Sequence, residues 1–211
     1  MLVSKIISLA EAQCDESYDI DDWVDLYNLC QDELTPVAKI LDTKSSPAVT
    51  VTAGKASITI ATDTTALALA HRILNVYYTP AGGTEVPLRR LHPQDDYAKG
   101  YKLGATKLYL QGLGTEATGV VRTDFYKKLA HCVYVASPES YTPTTPEIPD
   151  EFHGLYVSYL CGKSQQREEE PQDEQDFMSE YEKAKQSFAL ERLVQMEPWN
   201  IKNIPQSGGG G

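Results

Sequence analysis

The sequence lacks the features by which membrane-spanning and disulfide-stabilised proteins are recognised. It has no signal peptide and no apolar run long enough to cross a bilayer. Its four cysteines stand alone, without a CxxC pair: Cys14, Cys30, Cys132 and Cys161. We therefore expect synthesis in the cytosol with reduced thiols and no membrane partner. A chain of 211 residues can bury a hydrophobic core without metal or disulfide, so no cofactor is expected.

Basic residues are also scarce, with 19 Lys and Arg against 30 Asp and Glu, a net charge of −11. A sequence-independent DNA-binding protein gains affinity by neutralising phosphates with clustered basic side chains, so tight nucleic-acid binding is not expected. The charge is uneven along the chain, because residues 1–43 carry a net −8, residues 44–145 a net +4 and residues 146–211 a net −7. The middle of the chain therefore differs from both ends.

Apolar residues at helical spacing predict two helices at each end of the chain. An acidic, solvated junction is expected between the last two helices, from Arg167 to Asp176. The four apolar stripes are Leu2, Ile6 and Leu9; Trp23, Leu26, Tyr27, Cys30 and Leu34; Phe152, Leu155, Tyr156, Tyr159 and Leu160; and Phe177, Tyr181, Ala184 and Phe188.

Local signals predict the limits of the second helix. Asp19 is expected to cap its first turn, because a carboxylate can accept hydrogen bonds from the amides that have no partner within the helix. Pro36 is expected to kink or restart the helix before Val37, Ile40 and Leu41.

The middle segment has the alternation typical of strands. Val49 and Val51 alternate with polar residues before a tight turn at Gly54-Lys55, and Ile58 and Ile60 do so after it. Residues 44–145 are therefore predicted to form an all-β sandwich or barrel-like domain. Further strands are predicted at residues 73–78, 107–111 and 121–129, with glycine-containing turns at residues 80–83 and 112–114.

The proline-rich residues 137–149 are predicted to be an extended connector, because proline is excluded from central strands and helix interiors. The predicted fold class is α+β, with a four-helix body formed by both ends of the chain, residues 1–43 and 146–198, and the β domain inserted at residues 44–145. Residues 199–211, which finish in four glycines, are predicted to be a flexible tail.

No cluster of residues is predicted to be catalytic or to bind a cofactor or a metal. His92, Asp95 and Asp96 come nearest to an acid–base group, but with Pro93 after His92 we favour a capped single turn.

Other pairs of reactive side chains are also better explained by structural roles. Cys132 directly follows His131, but catalytic partners are rarely neighbours in sequence, so a buried thiol is favoured. His153 and Cys161 are eight residues apart, too distant for one zinc site without other ligands. Gly54-Lys55 lacks the earlier glycine and the following Ser or Thr of a phosphate-binding loop.

Two basic pairs, Arg89-Arg90 and Lys127-Lys128, are expected to be solvated. In an oligomeric ring they could instead contact acidic helices of an adjacent subunit.

Four segments carry a resemblance to a known family, and they lie in the predicted helix, β insertion and helix in that order along the chain. They are Asp22–Leu34; Leu91–Tyr97 leading to Gly100–Gly104; Thr118–Lys128; and Ile148–His153. In these segments and their order the chain resembles the head-to-tail connector, or adaptor, proteins of tailed bacteriophages.

The resemblance implies a structural virion protein at the head–tail interface, assembled in the host cytoplasm. Such proteins form a homo-oligomeric ring, typically twelve-fold, that docks beneath the portal protein, continues its DNA channel and contacts the next neck or tail component. Genomic DNA would pass through without specific binding. An acidic channel wall would repel the DNA backbone, so carboxylates of residues 15–33 or 168–182 are expected to face the lumen.

The resemblance also implies a role for the tail, because in many adaptors the C-terminal tail lodges in the portal. Trp199, Ile201 and Ile204 are therefore the residues expected to become buried on docking. The alternative is that Trp199 folds back onto the last helix.

Two other functions remain open from the sequence. The first is a carbohydrate- or receptor-binding module of a phage tail or fibre, in which the β domain would recognise the host surface. The second is a hydrolase, although no nucleophile elbow, metal motif or separated pair of acids is present.

Overall fold

The computed structural model describes residues 1–14, 18–60, 67–95, 98–114, 118–167 and 171–196. These residues form a mixed α+β protein with four helices and several antiparallel sheets, which confirms the α+β part of the predicted fold class. The helices are α1 Val3–Cys14, α2 Ile20–Ala38, α3 Gly154–Arg167 and α4 Pro171–Met196. The strands are β1 Leu41–Ser45, β2 Val49–Thr50, β3 Lys55–Thr59, β4 Ala70–Pro80, β5 Val86–Leu88, β6 Gly100–Leu103, β7 Lys107–Gln111, β8 Thr118–Lys127, β9 Val133–Ala136 and β10 Glu139–Thr142.

The chain divides into two compact units. We call Ile40–Lys128 the β unit, and Met1–Lys39 with Leu129–Gly211, of which the structure describes residues up to 196, the helical unit. The domain limits at 44 and 145 stay a prediction.

Helix α2 buries the stripe that its sequence predicts, because Trp23, Leu26, Tyr27, Cys30 and Leu34 are all at most 3% exposed. This stripe lies where α2 packs against α3 and α4.

The stripe predicted for α1 is confirmed at Ile6 but wrong at Leu2. Leu2 is 54% exposed and lies before the helix, whereas Val3, Ile6 and Ile7 are buried. Leu2 and Ile6 share helical spacing, but contact with α3 selects the face centred on Val3 and Ile7.

Hydrogen bonds satisfy the polar groups buried between the helices. The Tyr156 hydroxyl donates to Gln31 Oε1 at 2.8 Å, and Gln31 Nε2 donates to the Tyr27 hydroxyl at 2.9 Å. The rings of Tyr27 and Tyr156 stack with centroids 4.7 Å apart. Burial raises the pKa of both hydroxyls, so both remain protonated at neutral pH.

The partly exposed carboxylate of Glu33 joins three elements of the helical unit. It accepts hydrogen bonds from the hydroxyls of Tyr159, at 3.1 Å, and Tyr181, at 3.2 Å. Lys185 Nζ lies 3.4 Å from the same carboxylate. Glu33 therefore ties α2 to both α3 and α4.

Both ends of α2 differ from the prediction. Asp19 occupies the capping position, but its side chain makes no capping hydrogen bond, and its carbonyl accepts from the amide of Asp22. The helix does not continue to Ile40 and Leu41, because Lys39 adopts a left-handed conformation with φ 46° and ends it. Strand β1 begins at Leu41 instead.

The β unit contains two antiparallel sheets that share one hydrophobic core. The larger has the order β1–β8–β4–β5, with β2 also paired to β8, and the smaller has the order β3–β7–β6. Side chains from both sheets, including Val76 and Tyr78 of the larger and Ile58, Leu108 and Leu110 of the smaller, belong to one buried cluster.

The turn predicted at Gly54-Lys55 is confirmed, with positive φ at Ala53 and Gly54 and hydrogen bonds between Thr52 and Lys55. The strands that it joins then separate, because β2 pairs with β8 and β3 with β7.

The three further strands are confirmed in position. The predicted range 107–111 coincides with β7, the range 73–78 lies inside β4, and β8 is shifted three residues toward the N-terminus at its start.

The ends of the β unit lie side by side. Leu41 of β1 pairs with Tyr126 of β8, and the Lys127 amide donates to the Ile40 carbonyl at 2.9 Å. The chain therefore begins and finishes the β unit on adjacent antiparallel strands.

Two connectors differ from the prediction. The proline-rich segment is not extended connector throughout, because β10 pairs with β9 as an isolated two-stranded sheet in the helical unit. Prolines are compatible with such a strand because it is an edge strand and they lie just outside it. The acidic junction does not reach Asp176, because α4 already begins at Pro171.

Candidate docking surfaces

Helix α4 begins at Pro171 because the sequence of its first turn favours a helix start. Pro171 occupies a first-turn position where its fixed φ is helical, and Asp173 and Glu174 suit the positive end of the helix dipole. The predicted stripe is anchored by Tyr181 and Phe188, which are at most 1% exposed.

Aromatic and polar contacts hold the second half of α4 in place. The Phe188 ring lies 4.8 Å from that of Phe152, centroid to centroid. The Arg192 side chain donates to the Ala38 carbonyl at 2.8 Å, where α2 ends. These contacts hold one side of this half of the helix.

On other faces of the same helical segment, three large apolar side chains face solvent. Leu190 is 64% exposed, Leu193 47% and Val194 67%. Leu190 lies about 200° around the helix from buried Phe188, at about 100° per residue. These three residues were not predicted from the sequence, although their i, i+3, i+4 spacing, apart from the predicted stripe, was a usable signal.

The residues predicted to dock on the portal are Trp199, Ile201 and Ile204. They lie outside the described residues, which end at 196. The structure therefore does not test either the docking role or the alternative in which Trp199 packs on α4.

Carboxylates line the solvent side of two helices. On α2 the exposed residues are Asp21, Asp25, Leu29, Asp32 and Pro36, which fall on one stripe at spacings of three and four residues.

On α4, Asp173, Asp176 and Glu180 are exposed at i, i+3 and i+7. These three carboxylates span about 10 Å along the helix, at 1.5 Å per residue. Both sequence ranges predicted to carry channel-facing acids thus present carboxylates to solvent.

The solvent side of the larger sheet carries an ordered group of charges. Arg122 donates to both carboxylate oxygens of Glu85, at 2.9 and 2.8 Å, and to Asp124 at 2.8 Å. This pairing holds the pKa of the Glu85 carboxyl below its usual range. The guanidinium also lies 4.0 Å from the centre of the Tyr77 ring and covers that face, which is therefore not open for stacking against a sugar.

The residues around His92 form the turn that the sequence favours. The Asp95 amide donates to the His92 carbonyl at 3.0 Å, and the Asp95 carboxylate accepts from the His92 amide at 3.2 Å. Asp96 lies outside the described residues. The carboxylate of Asp95 thus stabilises the backbone of its own turn.

The histidine–cysteine pairs are not assembled as reactive sites. Cys132 is buried, while His131 is exposed and lies 2.9 Å from Asp32. Burial raises the pKa of the Cys132 thiol. His153 is buried with Nε2 2.8 Å from the Ile148 carbonyl, and Cys161 is a buried thiol that contacts Cys14.

Hydrogen bonding between the Cys14 and Cys161 thiols, together with burial, raises the pKa of Cys161, which keeps it protonated and weakly nucleophilic. Within the described residues no group of three or more His, Cys, Asp or Glu side chains could hold a metal ion. Among the same residues, no helix is long and apolar enough to span a membrane.

The fold and these surfaces define a mixed α+β protein with acidic helix faces and an exposed apolar helix end. Comparison with protein families then assigns it: the chain belongs to the family described as SU10 adaptor protein, which it matches over residues 1–201. This is a family of structural head–tail adaptors of phages and not a class of enzymes. The resemblance drawn from the sequence is thereby confirmed. A search among curated proteins finds no match.

Proposed function

We propose that this protein is the subunit of a ring, of the twelve-fold symmetry typical of such adaptors, that lies below the phage portal, continues its DNA channel and joins the head to the next neck or tail component. The observation that carries the proposal is the family match over residues 1–201. The match favours an adaptor over a carbohydrate-binding module of a tail or fibre.

The proposed subunit has a four-helix body made from both ends of the chain, with the β domain inserted between them. Contacts of α3 with α1, α2 and α4 support the body. The side-by-side ends of the β unit support the insertion, because a domain inserted into a loop must begin and end at neighbouring points.

The C-terminal segment is the part that we propose docks on the portal. Exposed Leu190, Leu193 and Val194 lead directly into the sequence that contains Trp199, Ile201 and Ile204. A patch of exposed apolar side chains on a helix is typical of a surface that becomes buried on binding a partner. We therefore extend the predicted docking residues to include the end of α4.

The carboxylates of α4 are the ones that we propose face the DNA channel. Asp173, Asp176 and Glu180 are exposed on one side of the helix. A row of like charges repels phosphates at distances up to about 8–10 Å at physiological salt, so DNA would slide along such a wall without binding to it.

The experiment that tests portal docking measures co-sedimentation of the full chain with assembled portal rings. We expect the chain to sediment with the portal, and truncation after Glu197 to abolish this binding. Because burial of large side chains drives such contacts, Leu190→Ser/Val194→Ser should weaken binding about tenfold or more.

The matched control is Leu41→Ser, which changes a 61% exposed leucine of the β unit and should leave portal binding unchanged. A chain that does not sediment with the portal would rule out the adaptor role. Truncation with no effect on binding would discard the docking segment alone and favour a structural role for Trp199.

A further inference from the structure

The outer face of the smaller sheet is basic and has an aromatic centre. None of the residues of β3, β6 and β7 is acidic. Tyr109, at the middle of central strand β7, is 49% exposed. Lys107 lies two residues before it on the same face, and Lys55 is paired with Gln111, two residues after it. Within the described residues neither Lys55 nor Lys107 makes an ion pair. We call this surface the lysine–tyrosine face.

Lys102 adds a third positive charge to this face. Lys102 lies on β6, where it pairs with Tyr109 of β7. Its Nζ donates to the Pro93 carbonyl at 2.8 Å. That hydrogen bond joins β6 to the segment that follows β5. The face therefore presents three lysines around one half-exposed ring.

The exposed stripe of α2 has the complementary arrangement. Leu29, 52% exposed, lies between Asp25, four residues before it, and Asp32, three residues after it. Asp21 extends the stripe toward the helix start. Asp21 and Asp25 make no ion pair within the described residues, whereas Asp32 contacts exposed His131. An apolar centre is thus flanked by negative charges.

The spacings of the two surfaces agree. On α2 the flanking carboxylates lie about 4.5–6 Å along the helix from Leu29. On the sheet, the positions of Lys107 and Lys55 lie about 7 Å along the strand direction from Tyr109. The flexible lysine side chains can close the remaining difference, so both ion pairs can form while Leu29 contacts the Tyr109 ring.

We propose that the α2 stripe of one subunit docks on the lysine–tyrosine face of a second copy of this chain. The charge of the two units favours this occupant, because the helical unit carries a net −15 and the β unit a net +4. Contact between unlike units of neighbouring copies brings these opposite charges together. Duplex DNA is a weaker candidate occupant, since the chain as a whole carries a net −11.

The inference rests on the proposed adaptor function, because it names the subunit contact of that ring. A head-to-tail contact between two different surfaces is the kind that closes into a ring. The inference also gives the two acidic helix faces different roles. The carboxylates of α2 contact the neighbouring subunit, and those of α4 face the DNA channel.

The test is a charge exchange between copies of the full chain. One variant carries Asp25→Lys/Asp32→Lys and the other Lys55→Glu/Lys107→Glu, and sedimentation velocity measures the mass of each alone and of the two mixed. Each variant alone opposes like charges, so we expect self-association at least tenfold weaker than that of the unaltered chain. The mixture should recover it, because every contact again joins opposite charges.

Matched controls are Glu180→Lys and Lys183→Glu, which make single charge reversals on exposed α4 positions and should leave association unchanged. A carbodiimide cross-link between Asp25 and Lys107, formed between isotopically labelled and unlabelled copies, should identify the contact directly.

Failure of the mixture to regain mass, or cross-links confined within one copy, would overturn the inference. So would a chain that stays monomeric at all concentrations without mixed-isotope cross-links, although portal binding would then still support the adaptor function. DNA binding that is lost in Lys55→Glu/Lys107→Glu, with association unchanged, would assign the face to nucleic acid instead.

Discussion

At the residue scale, the helical unit depends on a small set of buried polar side chains. Gln31 is fully buried and uses both ends of its amide, one as acceptor from Tyr156 and the other as donor to Tyr27 and to the Ala130 carbonyl at 3.3 Å. A buried polar group that loses its partner retains the full cost of leaving water. Removal of the Gln31 amide therefore leaves several buried polar groups without a partner, and it should lower the stability of the helical unit.

We predict that Gln31→Leu lowers the free energy of unfolding by about 2 kcal/mol, because two tyrosine hydroxyls and one carbonyl lose a partner in the core. Urea unfolding followed by the fluorescence of buried Trp23 measures this. The control Gln13→Leu changes an exposed glutamine of α1 and should alter stability by less than about 0.5 kcal/mol. Equal effects of the two variants would contradict the prediction.

At the scale of elements, one glycine lets β6 meet the segment that follows β5. The Tyr101 amide donates to the Arg89 carbonyl at 2.9 Å, and the Leu91 amide donates to the Tyr101 carbonyl at 2.8 Å. A Cβ atom at Gly100 would lie 2.3 Å from the Arg89 carbonyl oxygen and 2.7 Å from Leu91. Only glycine permits this approach of the two backbones.

We predict that Gly100→Ala destabilises the β unit by about 3 kcal/mol, because the backbone at Arg89 must move to relieve the overlap. Hydrogen exchange should become faster at the amides of Leu91 and Tyr101. Gly154→Ala is the control, because a Cβ there meets nothing within 4 Å, so exchange in the β unit should not change. Unchanged protection at Tyr101 in Gly100→Ala would show that the connection tolerates a side chain.

At the scale of the whole molecule, the β unit has a core of its own. The buried cluster shared by its sheets runs from Val49 to Val121 and draws on no residue of the helical unit. Its ends are paired strands, β1 and β8, so separating it from the rest of the chain breaks no pairing within either sheet.

We predict that residues 40–128 fold when produced alone, with a dispersed NMR amide spectrum and one cooperative unfolding transition. A fragment that starts at residue 46 lacks β1 and should be less stable, because β8 then loses the ladder from Leu41 to Ser45. A disordered 40–128 fragment would show that the helical unit is required for folding of the sheets.

Periodicity alone predicted the helices and, of the strands that the structure describes, β2, β3, β4, β7 and β8. The α2 stripe and β7 follow from spacing because their apolar residues have only one face on which to gather. The turn at His92 also followed from local rules, because proline and aspartate favour it. These features depend on residues close together in the chain.

Only the tertiary structure decided which of several possible faces is buried and which strands pair. The choice of Val3 over Leu2 in α1 depends on contact with α3, and the end of α2 depends on the left-handed Lys39. The lysine–tyrosine face is assembled from strands β3 and β7, which are far apart in sequence. Burial and pairing are set by the partner element, and for this reason spacing within one segment could not reveal them.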